Sequence, residues 1–219
     1  MENENVYFEA LKGLTANFIG DSLFGGHGVG KENTWIALLC EKYGITYNNY
    51  GINGCTLSAC EGGSNPIIRR YTEMADNSPD FVVIEGGRND FNKCAAIGTV
   101  DDGDETSYCG ALTLLVKGLR EKYPTAKIIA VSFWKSLTVN KSGISSNEYV
   151  EAMIAACDAI GIPCIRAYDE DASGIRMTDR DFRAAYSWGP GDVCHLNHAG
   201  MKLAMPFFER ELAKLLSEE

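Results

Sequence analysis

The chain has 219 residues, of which 45% are hydrophobic and 23% charged, with 20 Lys and Arg against 30 Asp and Glu. This composition is typical of a globular domain with a sizeable core, and it excludes disordered, collagen-like and coiled-coil chains. The formal net charge of -10 disfavours nucleic acid and other polyphosphate partners, because no basic face offsets it. We therefore expect residues 1–219 to form a single domain that binds no nucleic acid.

The N-terminal segment carries Glu2, Glu4, Glu9 and Lys12, and it lacks the basic start and long apolar run of a signal peptide. No apolar run approaches the roughly 20 residues that are needed to span a bilayer. We expect a cytoplasmic protein from the sequence as it stands. An exported protein is the alternative, if a signal peptide has been removed from the chain.

The chain contains eight Cys, and no two of them form a C-x-x-C pair of the zinc or redox type. Most of these residues are predicted to be buried free thiols that pack as small apolar side chains. A disulfide between Cys94 and Cys109 is the alternative for an exported protein.

Short apolar runs alternate with segments of helical periodicity along the chain. Strands are predicted at 15–19, 45–50, 81–84, 127–133 and 163–167, and helices at 34–43, 112–123, 147–160 and 197–216. Five strands interleaved with helices predict an α/β fold, a three-layer α/β/α sandwich around a five-stranded, mostly parallel sheet. In such a sheet the functional crevice lies beyond the carboxyl ends of the strands.

A hydroxyl and an Asp-His pair stand where that crevice is expected. Ser22 follows the first strand directly, and Asp192 precedes His195 by three residues near the far end of the chain. A Ser hydroxyl becomes a good nucleophile only when a base takes its proton, and a His oriented by a carboxylate is such a base. These three residues are therefore candidates for a catalytic triad.

Two further strand ends carry candidate hydrogen-bond donors for a developing oxyanion. The second strand leads into Gly54, whose backbone N–H can approach a ligand without a Cβ in the way, and the third leads into Asn89. Together with the N–H of Ser22, these groups would form an oxyanion hole with three donors.

With these blocks in place, the sequence resembles the SGNH hydrolases, also called GDSL esterases and lipases. The resemblance spans residues 15–216 and rests on four blocks in family order, which are Gly20-Asp21-Ser22-Leu23, Gly54, Gly87-Arg88-Asn89-Asp90 and Asp192-Val193-Cys194-His195. It implies a flavodoxin-like sheet. One departure is Leu196, where many members of the family carry Pro.

The resemblance also implies a role for each residue of the blocks. Ser22 would be the nucleophile, His195 the general base and acid, and Asp192 its orienting partner. The oxyanion donors would be Ser22, Gly54 and Asn89. Asp21 is predicted to hold the turn, because a carboxylate aimed at the hydroxyl would oppose the oxyanion.

A phosphate-binding loop is a competing interpretation of Gly25-Gly-His-Gly-Val-Gly30-Lys31. The next residue is Glu32, where that motif needs a Ser or Thr hydroxyl for magnesium. We therefore interpret the glycines as a flexible lip beside the nucleophile. A non-catalytic module that binds a carbohydrate or a nucleotide is the alternative of a different class.

Asp192, His195 and His198 form a D-x-x-H-x-x-H row that could be taken for metal ligands. A catalytic zinc usually has three protein ligands, and these residues would need a distant carboxylate to complete the set. We predict no metal site and place His198 in the first turn of the last helix. The proposed chemistry also requires no organic cofactor.

The sequence thus predicts a serine esterase that acts on a small or carbohydrate-linked ester through an acyl-Ser22 intermediate. An acyltransferase would use the same residues with an alcohol in place of water. Aromatic residues in the predicted loops indicate either a substrate pocket or loop packing, and they are Phe91, Tyr108, Phe133, Trp134, Phe182, Tyr186 and Trp188.

Overall fold

Five parallel strands in the order β2-β1-β3-β4-β5 form the centre of the computed structural model, which describes residues 7–217. Residues 1–6, which begin the segment where we expect no signal peptide, and residues 218–219 lie outside it. The strands are β1 (Thr15–Ile19), β2 (Thr46–Asn49), β3 (Phe81–Glu85), β4 (Lys127–Val131) and β5 (Cys164–Ile165).

Helices cover both faces of this sheet. They are α1 (Ser22–Gly25), α2 (Trp35–Tyr43), α3 (Ile67–Arg70), α4 (Arg88–Asn92), α5 (Tyr108–Lys122), α6 (Ser146–Ile160), α7 (Glu170–Ser173), α8 (Arg180–Tyr186) and α9 (His198–Ser217). Short 3-10 turns occupy Lys31–Asn33 and Tyr71–Glu73. The predicted three-layer α/β/α sandwich is confirmed, and the strand order is that of a flavodoxin-like sheet. All strand pairs are parallel, where the sequence predicted a mostly parallel sheet.

The sequence of each strand matches its place in the sheet. All five residues of β3 are buried, as expected for a strand that has neighbours on both sides and helices on both faces. The edge strand β2 reads Thr-Tyr-Asn-Asn and is only partly buried. Ile19 of β1 is in register with Ile84 of β3, so these two strands end side by side.

The ends of the long helices follow the expected capping rules. The Thr34 hydroxyl accepts the Ala37 N–H at 3.4 Å at the start of α2, and a capping box between Ser145 and Glu148 opens α6. Gly161 ends α6 with φ 69°, a left-handed conformation that glycine adopts without strain. The predicted start of α6 at residue 147 was one residue late.

One boundary differs more, because α5 begins at Tyr108 and not at Leu112. The difference comes from Gly110, which lies before the predicted helix at 112–123 and inside the observed one. A Cβ on Gly110 would lie 2.4 Å from the carbonyl oxygen of Asp104, so this glycine allows the preceding loop to pack against the helix. It is therefore a packing residue inside α5 and not a helix breaker.

Most of the aromatic residues singled out in the predicted loops belong to the core. Phe91, Tyr108, Phe133 and Trp134 are at most 3% exposed, which favours packing over a substrate pocket for these four. Trp188 differs, because it is 50% exposed.

All eight cysteines are free thiols, so the alternative disulfide between Cys94 and Cys109 is not formed. Half of them are buried, and the other four are partly exposed, namely Cys60, Cys94, Cys164 and Cys194.

Within residues 7–217, no helix is long and apolar enough to cross a membrane.

Candidate active site

Ser22 is the first residue of α1 and lies directly beyond the end of β1. Asp21 caps this short helix, because its Oδ1 accepts the Leu23 N–H at 2.9 Å. The prediction that Asp21 holds the turn is therefore confirmed. The turn leaves Ser22 6% exposed at the carboxyl edge of the sheet.

The Ser22 hydroxyl contacts an imidazole from the opposite end of the chain. Ser22 Oγ lies 3.0 Å from His195 Nε2, across a sequence separation of 173 residues. This distance is within hydrogen-bond reach, as general-base activation of a nucleophile requires. The side chain of His195 is 22% exposed, so the pair is open to a small molecule.

Asp192 contacts the other nitrogen of the same ring. Its Oδ2 lies 3.1 Å from His195 Nδ1, while its Oδ1 accepts the N–H groups of Cys194 at 2.8 Å and His195 at 2.9 Å. Burial raises the pKa of Asp192, but these backbone donors and the imidazole outweigh it and hold the pKa below its usual value. Asp192 is thus an anion that favours the tautomer with a proton on Nδ1 and a lone pair on Nε2.

The segment that carries His195 is fixed from two sides. The Trp134 indole donates to the Cys194 carbonyl at 2.6 Å, and the Asn197 amide donates to the carbonyls of Ala185 and Ser187 at 3.0 and 2.9 Å. Leu196, the departure from the family pattern, is fully buried. The imidazole is therefore held by packing and hydrogen bonds without a proline.

The backbone N–H groups of Ser22 and Gly54 lie at this edge and have no protein acceptor in the part of the chain that the structure describes. Gly54 has φ 79°, and nothing lies within 4 Å of the position of a Cβ there. Backbone conformation, and not a steric clash, is therefore what requires glycine at this position.

Asn89 lies between Asp21 and Cys55, which are next to Ser22 and Gly54 in the chain. Its Nδ2 donates to Asp21 Oδ2 at 2.9 Å and to the Cys55 carbonyl at 2.9 Å. Both amide hydrogens are therefore used within the protein. Asn89, predicted as an oxyanion donor, thus has no unused hydrogen in the free enzyme, because the carboxylate of Asp21 accepts from Asn89 as well as from Leu23.

Two other residues of the third block support neighbouring loops, Asp90 the loop after β2 and Arg88 the loop after β4. The carboxylate of Asp90 accepts the N–H groups of Leu57 at 2.7 Å and Ser58 at 2.9 Å, as expected of a structural acceptor. Arg88 donates to Ser136 Oγ at 2.9 Å and so holds the loop after β4.

The glycine-rich segment after Ser22 forms a lip over the site. The His27 ring packs against that of His195 in a tilted arrangement with centroids 4.2 Å apart, and the Trp188 indole donates to the His27 carbonyl at 3.3 Å. Lys31 Nζ donates to the Asn49 carbonyl at 2.8 Å. The glycines predicted this lip, whereas the contact between His27 and the imidazole of His195 could not be read from the sequence.

His198 is the first residue of α9, as predicted. Among the described residues, no group of three or more His, Cys, Asp or Glu side chains is arranged to hold a metal ion.

A Ser-His-Asp array at the carboxyl edge of a flavodoxin-like sheet is the arrangement of a serine hydrolase. The sequence profile of the GDSL-like Lipase/Acylhydrolase family matches residues 18–203. The chain belongs to this family of enzymes, which hydrolyse ester bonds.

Solved structures show the same fold. A Lactobacillus plantarum protein superposes with a TM-score of 0.80 at 24% identity, covering 93% of this chain and 98% of that one. A protein described as a GDSL-like lipase, from Bacteroides uniformis, gives 0.66 at 20% identity, with 92% and 96% covered. The esterase EstA of Pseudoalteromonas sp. gives 0.66 at 19% identity, with 93% and 99% covered. A search of curated proteins finds no match.

Proposed function

We propose that this chain is a serine esterase that cleaves small or carbohydrate-linked carboxylic esters through an acyl-Ser22 intermediate, with residues 1–219 acting as one hydrolase domain. One observation carries the proposal. An unbroken chain of contacts runs from Ser22 Oγ to His195 Nε2 at 3.0 Å and from His195 Nδ1 to Asp192 Oδ2 at 3.1 Å.

In the first half-reaction, Ser22 Oγ attacks the ester carbonyl carbon while its proton passes to His195 Nε2. The imidazolium that forms is stabilised by the Asp192 carboxylate. The tetrahedral intermediate then collapses, the bond to the alcohol oxygen breaks, and His195 gives the proton to the departing alcohol. The acyl group remains on Ser22.

In the second half-reaction, water takes the place of the alcohol. His195 removes a proton from the water as its oxygen attacks the acyl carbon, and it then returns the proton to Ser22 Oγ when the acyl-oxygen bond breaks. The products are a carboxylic acid and the free enzyme.

The N–H groups of Ser22 and Gly54 are the proposed donors to the oxyanion, and Asn89 is the third. Because both Asn89 hydrogens have acceptors in the free enzyme, one of these bonds is exchanged for the oxyanion during the reaction. Each such donor is typically worth about 3 to 4 kcal/mol of transition-state stabilisation.

The proposed preference for a carbohydrate-linked ester is supported by Trp188. Its indole is 50% exposed, and it contacts the lip that carries His27 beside the catalytic imidazole. An exposed indole offers a broad flat surface on which the apolar face of a sugar ring can stack.

Chromogenic esters of increasing acyl length test the reaction, and acetylated sugars test the substrate. We expect hydrolysis by the wild type, none by Ser22→Ala, and a KM for acetylated sugars that rises in Trp188→Ala while that for a small chromogenic acetate does not. Tyr7→Ala is the matched control, because Tyr7 is also an exposed aromatic residue but belongs to the segment before β1, whereas Ser22 follows that strand. Equal KM changes for both substrates would contradict the carbohydrate preference.

Adding a soluble alcohol to the same assay separates hydrolysis from acyl transfer. A hydrolase gives mainly the carboxylic acid, whereas an acyltransferase gives mainly the new ester. A folded wild type that releases no product from any ester would favour the non-catalytic binding module.

A further inference from the structure

Two buried carboxyl groups lie side by side beneath Ser22. Glu85 ends β3 and is 1% exposed, and Asp21 follows β1 and is 0% exposed. The Asp21 N–H donates to Glu85 Oε2 at 3.2 Å. The intervening Gly20 allows this approach, because a Cβ there would lie 3.0 Å from the same oxygen.

The two groups receive different numbers of hydrogen bonds. Asp21 accepts the Leu23 N–H on Oδ1 and the Asn89 amide on Oδ2, both at 2.9 Å, and the Ser22 hydroxyl lies 3.5 Å from Oδ1. Glu85 receives only the Asp21 N–H, and its Oε1 is buried with no partner among residues 7–217.

An ionised carboxylate out of contact with water needs donors on both oxygens, because an unpartnered buried charge is very costly. Asp21 has donors on both oxygens, and Glu85 does not. Two adjacent carboxyl groups cannot both ionise cheaply, so one of them keeps its proton. The donor pattern places the negative charge on Asp21 and the proton on Glu85.

The electrostatics agree with this assignment. Burial, and then the neighbouring charge of Asp21, raise the pKa of Glu85 well above its usual value. Burial also raises the pKa of Asp21, but hydrogen bonds from Leu23 N–H and from Glu85 oppose that shift. The other titratable groups that interact with the pair are Asp90, Cys55, Cys194, Tyr108 and His195. Two arginines lie one step further away, Arg70 beside Cys55 and Arg88 beside Cys194.

We propose that Glu85 is a neutral carboxylic acid that donates its proton in a hydrogen bond to Asp21, and that it is a positioning residue for the nucleophile. It acts through Asp21, which caps the helix that begins at Ser22 and also holds the amide of Asn89. The positioning role rests on the esterase function proposed above, whereas the protonation state does not.

Folding stability as a function of pH tests the protonation state. An unfolded Glu loses its proton near pH 4.3, whereas the folded Glu85 keeps it. Between the pKa of the unfolded state and the higher pKa of the folded state, the contribution of Glu85 to the unfolding free energy therefore falls as pH rises. Glu85→Gln replaces the acid by a neutral amide with the same shape and a donor for Asp21, and it cannot ionise. The ratio of the folding equilibrium constants, wild type over Glu85→Gln, is expected to fall about tenfold per pH unit from about pH 5 to 7. A constant ratio would overturn the proposal.

Carbon-13 labelling of glutamate gives a second measurement that does not require the variant to fold. In the wild type, one glutamate carboxyl carbon is expected to keep the chemical shift of a protonated acid at pH 7, while the exposed glutamates titrate below about pH 5. Titration of every glutamate in the normal range would refute a neutral Glu85.

Ester turnover tests the positioning role. We expect Glu85→Gln to retain kcat within about threefold and Glu85→Ala to lose about 100-fold in kcat with little change in KM, as a misplaced nucleophile would. Glu209→Gln is the matched control, because Glu209 is also buried but pairs with Lys42 and Tyr43 away from the site. A Gln variant as inactive as the Ala variant would contradict positioning through a neutral donor. A wild type without esterase activity would refute the proposed function and leave the pH and labelling results standing.

Discussion

The imidazole of His27 packs against that of His195, with ring centroids 4.2 Å apart and planes tilted by 34°. His195 is thus held by Asp192 at its Nδ1 edge, by Ser22 at its Nε2 edge and by a second aromatic ring on one face. His27 lies on a glycine-rich lip that Trp188 supports from outside, because the Trp188 ring occupies the space beside Gly28.

Removal of the His27 ring is expected to lower kcat/KM by about two- to tenfold, because an aromatic ring pair is worth about 0.5–1.5 kcal/mol and its loss frees the catalytic imidazole. His27→Phe keeps an aromatic ring against His195 and should stay within about twofold of the wild type. His198→Ala is the control, since that exposed imidazole lies three residues from His195 on the first turn of α9. Steady-state kinetics of His27→Ala equal to those of the wild type would contradict a positioning contact.

Asn89 is expected to be necessary for turnover even though its hydrogens are used in the free enzyme. Asn89→Ala should reduce kcat by about 100- to 1000-fold, the usual effect of deleting one oxyanion donor. Asn89→Asp should be at least as inactive, because it sets a carboxylate oxygen against Asp21 where the amide now donates. Ester kinetics are the readout, and a near-normal kcat in Asn89→Ala would remove this residue from the oxyanion hole.

Replacing Asp192 by Asn separates its orienting role from its structural one. The amide oxygen can still accept the N–H groups of Cys194 and His195, but its NH₂ group faces Nδ1 and favours the wrong imidazole tautomer. A loss of about 10⁴-fold in kcat is expected with a folded protein. Retention of activity in Asp192→Asn would show that the carboxylate does not orient the base.

The same substitution has an expected pH dependence in stability. Because the folded protein lowers the pKa of Asp192, its carboxylate contributes stability above the unfolded pKa, and this contribution is lost as pH falls through the folded value. The unfolding free energies of wild type and Asp192→Asn should therefore differ most at neutral pH and converge in acid. Denaturant titrations at several pH values measure this, and curves that diverge toward acid would contradict the assignment.

Replacing the buried Asp90 is expected to lower the unfolding free energy more than replacing an exposed acidic residue. Asp90→Ala would leave the buried N–H groups of Leu57 and Ser58 without acceptors, at a cost of about 3 kcal/mol. Asp101→Ala, on the exposed surface of a loop, should change stability by less than about 0.5 kcal/mol. Urea unfolding compares the two variants, and equal midpoints would show that Asp90 does not anchor the loop after β2.

Much of the fold follows from local sequence pattern. The continuous apolar run of β3 predicted a strand buried on both faces, and the Gly-Asp-Ser turn after β1 predicted where Ser22 lies. Such features depend on residues close together in the chain. Local pattern does not explain Gly110, because this glycine is required by the close approach of the Asp104 carbonyl in the preceding loop.

The contacts that sequence reasoning missed join different strand ends. The partners of Asn89 depend on how far α1 and the loop after β2 extend beyond the sheet. In the sequence, Glu85 is simply the polar residue that follows the apolar run 81–84. Its importance follows from the register that sets Ile84 beside Ile19. The sequence therefore located the candidate residues, but the hydrogen bonds among them are set by the tertiary structure.

Covalent labelling of Ser22 tests the central claim most directly. A fluorophosphonate probe reacts with a serine hydroxyl that a neighbouring base activates, so it reports directly on the proposed nucleophile. Peptide mass spectrometry of the labelled wild type should find one phosphonate adduct, on Ser22, with slow labelling in His195→Ala and none in Ser22→Ala. A folded wild type that stays unlabelled, or an adduct on another residue, would contradict Ser22 as the nucleophile.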